Sequence, residues 1–151
     1  SNLRRQRQMC IRDRNSRLDA LQAAILNVKL PYLKEWIDSR NKIGHSYLKG
    51  IANLKIKMPI MDNMDYHAFH LFVIRTDDRS ALIQYLKENG IGSSIHYPTA
   101  LPYLECYGYM KHSPKDFPIA FEYQNKILSI PMFPELEDRE IEKVIQVLNG
   151  F

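Results

Sequence analysis

Cysteine is scarce in this chain: Cys10 and Cys106 are the only two in 151 residues. There is no CxxC pair, so neither a disulfide framework nor a cysteine-built metal site is available. Two isolated thiols suit a reducing, cytoplasmic setting. Glycine and proline are also modest, at 6 and 8, which excludes collagen-like and low-complexity chains. No apolar run approaches the roughly 18 residues of a membrane-spanning helix, so a membrane protein is not expected. Residues 1–14 are basic but have no apolar stretch behind them, unlike a secretion signal. Nucleotide-loop, zinc-protease, serine-hydrolase and calcium-loop motifs are missing too. Gly90-Ile91-Gly92 opens like a dinucleotide fingerprint, but Ile95 stands where a third glycine is needed and a strand pattern follows. That match fails.

Charge of one sign is in excess only at one end. Lys and Arg number 21 against 17 Asp and Glu, a net +4. Residues 1–14 hold five arginines and one aspartate, which is the whole excess, and residues 15–151 are neutral. The pI of 9.0 therefore marks an arm and not a basic surface, and nucleic-acid binding is not expected. What is present is an ordinary apolar fraction, 45%, enough for one domain with a buried core.

Hydrophobic spacing gives the elements. Ser16 and Asp19 form a capping-box pattern ahead of Leu18, Leu21, Ile25 and Val28, which predicts a helix to about Leu30. Pro31 breaks or kinks it, and a second helical pattern runs through Leu33, Trp36, Ile37, Arg40, Ile43, Tyr47 and Leu48. Residues 53–59 alternate weakly and predict a short strand. Residues 67–75, an aromatic and β-branched run, predict a central strand covered on both faces. Asp77-Asp78 caps a helix with Leu82, Ile83 and Leu86, ended by Asn89-Gly90. A strand over 92–97 ends at Pro98, and residues 99–116 read as a long loop. Pro118 starts a helix through Phe121, Gln124 and Leu128, Ser129-Ile130-Pro131 is a short extended piece, and a final helix carries Ile141, Val144, Ile145 and Leu148. The order predicts an α/β two-layer domain with a small mixed or antiparallel sheet, helices packed on it, and a long kinked helix in front.

Composition and spacing name no reaction. His96-Tyr97-Pro98 stands at a strand end before an aromatic loop, where sites are often built. The same residues also fit a half-buried histidine at the domain's edge. His67 and His70, three apart on a strand, face opposite ways and cannot chelate together; they read as packing residues.

Asn15-Ser16-Arg17-Leu18-Asp19-Ala20-Leu21-Gln22-Ala23-Ala24-Ile25-Leu26 resembles the NxRLDxLQAAIL segment of the DegT/DnrJ/EryC1/StrS family. Its members are pyridoxal-phosphate-dependent aminotransferases that act on nucleotide-linked keto sugars. The likeness continues at Lys29-Leu30-Pro31-Tyr32-Leu33, Trp36 and Arg40, then at His70-Leu71-Phe72-Val73-Ile74-Arg75 and Gly90-Ile91-Gly92. It resumes at Ile95-His96-Tyr97-Pro98 and Asp116-Phe117-Pro118, and closes with Ile127-Leu128-Ser129-Ile130-Pro131-Met132-Phe133-Pro134-Glu135-Leu136.

The resemblance implies the small C-terminal domain of such an enzyme over residues 15–151, with residues 1–14 a basic arm outside the family pattern and a foreign junction at Arg14/Asn15. It implies a parent that moves an amino group, with glutamate as the expected donor, onto a 3- or 4-keto nucleotide-linked sugar in polysaccharide or deoxyamino-sugar biosynthesis. The cofactor is pyridoxal 5'-phosphate (PLP), the assembly a cytoplasmic homodimer with shared active sites, and the Schiff-base lysine belongs to a preceding domain, so the fragment alone is expected to be inactive. No residue here is assigned a catalytic role, and no metal is expected. Asn15 is implied to reach the partner's PLP phosphate; Arg17, His96 and Tyr97 are implied to face the substrate. The other reading the composition permits is a stand-alone α/β ligand-binding or regulatory domain.

Overall fold

Asp19 sets where the first described helix begins. Its backbone is extended (φ −79°, ψ 169°) and its carboxylate accepts from the Gln22 N–H at 2.9 Å, so Asp19 itself is the N-cap and not the third residue of a box begun by Ser16. The computed structural model describes residues 19–61 and 67–151. They fall into two compact units, one up to Lys34 and one from Glu35 to Phe151.

In the first unit, α1 (Ala20–Lys29) leads into a 3₁₀ turn, Leu30–Tyr32, that contains Pro31. Proline has no N–H for the helical ladder, so the α-helix gives way there. None of α1's residues is buried, although Leu21, Ile25, Leu26 and Val28 are at least half exposed apolar groups.

The second unit is built on α2 (Leu33–Gly50), whose first residues lie before the boundary, then β1 (Phe72–Arg75), α3 (Arg79–Glu88), α4 (Pro118–Tyr123), β2 (Ile127–Ile130) and α5 (Asp138–Gly150). The fold is α/β. β1 and β2 pair antiparallel, with Phe72 opposite Ile130 and Ile74 opposite Leu128. Single bridges extend the ladder on each side: Lys57 pairs with Arg75, and Ser94 with Ser129. The predicted strands over 53–59 and 92–97 are thus present as one bridge each. Period-2 side chains send Phe72, Ile74, Leu128 and Ile130 to one face. There they meet Ile43 and Tyr47 of α2, Leu82 and Leu86 of α3, and Ile141, Val144 and Leu148 of α5 in one core. Glu137 and Glu140 close a reciprocal capping box that fixes the start of α5.

Three expectations fail for physical reasons. The apolar run over 67–75 becomes strand only from Phe72, because Phe69 turns left-handed (φ 40°) to bury its ring. His67 and His70 are consequently exposed, and β1 buries one face only, with Val73 and Arg75 half-exposed. Leu128 belongs to β2 and not to the helix from Pro118, which stops at Tyr123. The 99–116 loop holds two 3₁₀ turns, Leu101–Tyr103 and Glu105–Met110.

Phe69 also explains Gly44. The ring packs over α2 so closely that a Cβ at Gly44 would lie 2.8–2.9 Å from three of its carbons. Gly44→Ala gains about 0.8–1 kcal/mol of helix propensity but overpacks a buried ring at about 1–3 kcal/mol. A net loss of about 1 kcal/mol is expected in urea denaturation. Gly92→Ala, with nothing within 4 Å of its Cβ position, should stay within about 0.5 kcal/mol. Equal effects at the two glycines would refute the packing account.

Candidate functional site

β2 has a free edge, and the chain after Gly92 runs along it. Ser94 and Ser129 exchange backbone hydrogen bonds at 2.8 and 3.1 Å. Two residues further on, the half-buried His96 places its Nδ1 3.0 Å from the Ser129 hydroxyl. That contact orients the imidazole and leaves its other nitrogen available to a ligand. A cleft of about 250 Å³ opens here, lined by Gly92, Ser93, Ser94, His96, Ser129 and Pro131 among others. Serine hydroxyls and an imidazole stand here among Leu71, Ile130, Pro131 and Met132, with no carboxylate or ammonium in the wall, a mixed surface that can hydrogen-bond a hydroxyl-bearing ligand against an apolar backing.

The far wall is held from the core. Tyr47, fully buried on α2, donates its hydroxyl to the Pro131 carbonyl at 3.0 Å. Burial, with the nearby Glu140 charge adding to it, pushes this phenol far above its ordinary range, so it stays a proton donor.

Of the four residues expected at a site, His96 lines this cleft. Tyr97 stacks edge-on against His96 with centroids 5.6 Å apart, but it is 71% exposed and lines a separate hollow of about 300 Å³ with Pro98, Leu101 and Leu104. Asn15 and Arg17 lie outside the described residues. Neither Ser129 nor Tyr47 stands out in the sequence as a site residue; their contacts with His96 and Pro131 arise only in the fold. A lone serine between Leu128 and Ile130 was the available signal, since a polar group at a buried strand position requires a partner.

No described lysine fits as a covalent cofactor anchor, which must be a neutral amine in a desolvated place. Lys126 is the opposite case: its ammonium donates to the Asp77 and Glu122 carboxylates, at 2.8 and 2.7 Å, and these bonds drive its pKa further up. Lys42 is ion-paired with Asp138. Among the described residues, no cluster of His, Cys, Asp and Glu could hold a metal ion, and no helix is long and apolar enough to cross a membrane.

The aromatic loop beyond Tyr97 ends in a local turn closed by Asp116. Its carboxylate accepts from the Ser113 N–H at 2.6 Å and the Ser113 hydroxyl at 3.0 Å, and the backbone bond first, then the hydroxyl, hold its pKa below the ordinary carboxylate value. A carboxyl lowered on folding keeps its native contacts above the unfolded value and loses them as pH falls through the folded one. The Ser113 amide resonance should therefore titrate with a midpoint below about 3.9, and Asp116→Asn should abolish that titration. A midpoint at or above the ordinary value would contradict this closure.

The family model for the DegT/DnrJ/EryC1/StrS aminotransferase family matches residues 3–149, a match that starts within the basic arm. The chain is 37% identical over 137 residues to a dTDP-3-amino-3,6-dideoxy-alpha-D-galactopyranose transaminase of Aneurinibacillus thermoaerophilus, covering 91% of this chain and 37% of that protein. It is 32% identical to a UDP-N-acetyl-3-dehydro-alpha-D-glucosamine 3-aminotransferase of Acidithiobacillus ferrooxidans, over 89% of this chain and 36% of the other. Among solved structures, S. venezuelae DesV in complex with a ketimine intermediate superposes with a TM-score of 0.80 at 32% identity, covering 90% of this chain and 37% of DesV. The chain thus spans little more than a third of the length of these relatives.

Proposed function

The chain belongs to the DegT/DnrJ/EryC1/StrS aminotransferase family, and from that premise we propose that it is the small-domain part of a PLP-dependent nucleotide-sugar aminotransferase. Residues 15–151 form that domain in this reading, behind a basic arm, residues 1–14, into which the family match extends as far as residue 3. The reaction moves an amino group, with glutamate as donor, onto a 3- or 4-keto group of a nucleotide-linked sugar in the cytoplasm. The observation that carries the reading is the family match over nearly the whole chain, with two relatives named for dTDP- and UDP-linked amino sugars.

PLP, when bound, supplies the electron sink and the amino-group carrier. The described residues do not make a site for it, so its lysine anchor is placed elsewhere in the enzyme. The contribution of this chain is binding. Asn15 donates to the phosphate of the partner's cofactor in a homodimer, and Arg17 lies near the same place. His96, oriented by Ser129, takes a sugar hydroxyl through its free ring nitrogen, and Tyr97 covers the nucleotide side of the substrate. The exposed apolar residues of α1 favour burial against a further surface of the enzyme, as exposed apolar patches do.

Two measurements test this. The 151-residue chain, incubated with PLP and dialysed, should retain no cofactor absorbance; a stoichiometric borohydride-fixed adduct at one of its lysines would overturn the assignment of the anchor elsewhere. The protein made from the full reading frame should convert glutamate to 2-oxoglutarate only when a dTDP- or UDP-linked keto sugar is supplied. Turnover indifferent to the sugar would refute the substrate class.

A further inference from the structure

The outer edge of the sheet, opposite the His96 cleft, breaks a rule that sheets ordinarily keep. Lys57 and Arg75 are directly opposed: the Lys57 N–H donates to the Arg75 carbonyl at 2.7 Å, and the Arg75 N–H donates to the Lys57 carbonyl at 3.0 Å. Like charges facing each other across a ladder are destabilising. A nearby carboxylate would be the usual remedy, and two are at hand, Asp77 and Glu122. Both are ion-paired with Lys126, at 2.8 and 2.7 Å, and Asp77 feels the Lys57 charge only as a lesser contribution. Among the described residues, neither Lys57 nor the Arg75 guanidinium forms an ion pair with a carboxylate.

The pair is also shaped. Arg75 is half-buried, with its guanidinium carbon 4.2 Å from the centroid of the Tyr123 ring. Stacking fixes the plane of the fork while leaving its edge free to donate two parallel hydrogen bonds. Lys57 is exposed. Both line a cleft of about 360 Å³, with Lys55, Lys126, Asp77 and Glu122 also in its wall, and it shares no lining residue with the His96 cleft. Four cations, Lys55, Lys57, Arg75 and Lys126, outnumber the two carboxylates in the wall of this cleft, and a planar, stacked guanidinium on its cationic side is what a tetrahedral oxyanion recruits. Local violations of folding rules of this kind concentrate at functional sites.

We propose that the cleft between Lys57 and Arg75 is a binding site for a phosphate-type dianion. The dianion neutralises both cations at once, accepting a forked pair of hydrogen bonds from Arg75 and a third from Lys57. It removes the cross-strand repulsion and ties the 53–59 segment to β1. The site is independent of the aminotransferase reading and needs no cofactor.

Inorganic phosphate is the probe, titrated at pH 7.5 into the isotopically labelled 151-residue chain with sodium chloride holding the ionic strength constant. The expected result is a saturable shift of the Lys57, Arg75 and Thr76 amide resonances, together with a phosphate-dependent rise in melting temperature. Lys57→Gln alters an exposed side chain and should do two opposite things. The phosphate-free melting temperature should rise as repulsion is relieved, and phosphate affinity should fall at least about tenfold. Arg75→Lys keeps the charge, loses the fork, and should weaken binding similarly. Lys42→Gln, at an ion pair with Asp138 elsewhere, should leave affinity unchanged. Shifts that follow ionic strength without saturating, or unaltered affinity in Lys57→Gln, would overturn the site.

Discussion

Phe72→Ala is expected to destabilise the Glu35–Phe151 unit by about 3–5 kcal/mol, the range for truncating a fully buried phenylalanine. Phe72 is 1% exposed and sits at the centre of three rings. Phe69 stacks on it with centroids 5.7 Å apart, and Tyr47 meets it edge-on at 5.2 Å. Removing the middle ring leaves a void that neither neighbour can fill: Phe69 is held against Gly44, and Tyr47 is tethered through its hydroxyl to Pro131. Transfer and cavity costs therefore both apply in full. With a urea dependence of about 1–3 kcal/mol per molar, the midpoint should fall by at least about 1 M, and a domain of ordinary stability loses most of its margin. Tyr47→Phe is the informative comparison. It keeps the ring packing and removes one hydrogen bond, so about 1–2 kcal/mol is expected. If Phe72→Ala costs no more than Tyr47→Phe, the aromatic trio is not the centre of the core.

Much of this packing is legible before folding, and the exceptions share a cause. Helices whose apolar residues recur every three or four positions, such as Leu82, Leu86 and Ile141 to Leu148, come straight from the spacing because that period is their burial pattern. Leu128 has the spacing of a helix too, measured from Phe121 and Gln124. The chain instead turns between Tyr123 and Lys126, since Leu128 is opposite Ile74 across the sheet, and no local period contains that demand. Phe69 fails in the same way: its bend answers Gly44, 25 positions earlier. The site divides similarly. His96 is visible as a strand-end histidine, but its orienting partner Ser129 becomes one only through the Ser94 bridge. The opposition of Lys57 and Arg75 likewise exists only once the strands pair. Asn15 and Arg17 come from likeness to a family and from nothing in the period or charge of the chain.

Asn15 is where that likeness is most exposed to test. In the full-length enzyme, Asn15→Ala is expected to raise the PLP dissociation constant by about ten- to a hundredfold while leaving the melting temperature of the apo-protein nearly unchanged. A hydrogen bond to a charged group contributes roughly 1.5–3 kcal/mol, which corresponds to that change in affinity. An asparagine just ahead of a helix invites a different explanation, that it caps the helix. Asp19 already holds that position in α1, with its carboxylate on the Gln22 N–H, so the cap survives the loss of Asn15. Asp19→Ala supplies the complementary measurement. It should cost about 1 kcal/mol of stability and leave PLP affinity unaltered, because its carboxylate is committed to the helix and its negative charge suits no phosphate. Apo-protein melting and cofactor affinity, measured on both variants, then separate two neighbouring polar residues into a ligand contact and a structural cap. A destabilised apo-protein with unimpaired PLP binding in Asn15→Ala would reassign Asn15 to the fold, and the phosphate contact would have to come from another part of the enzyme.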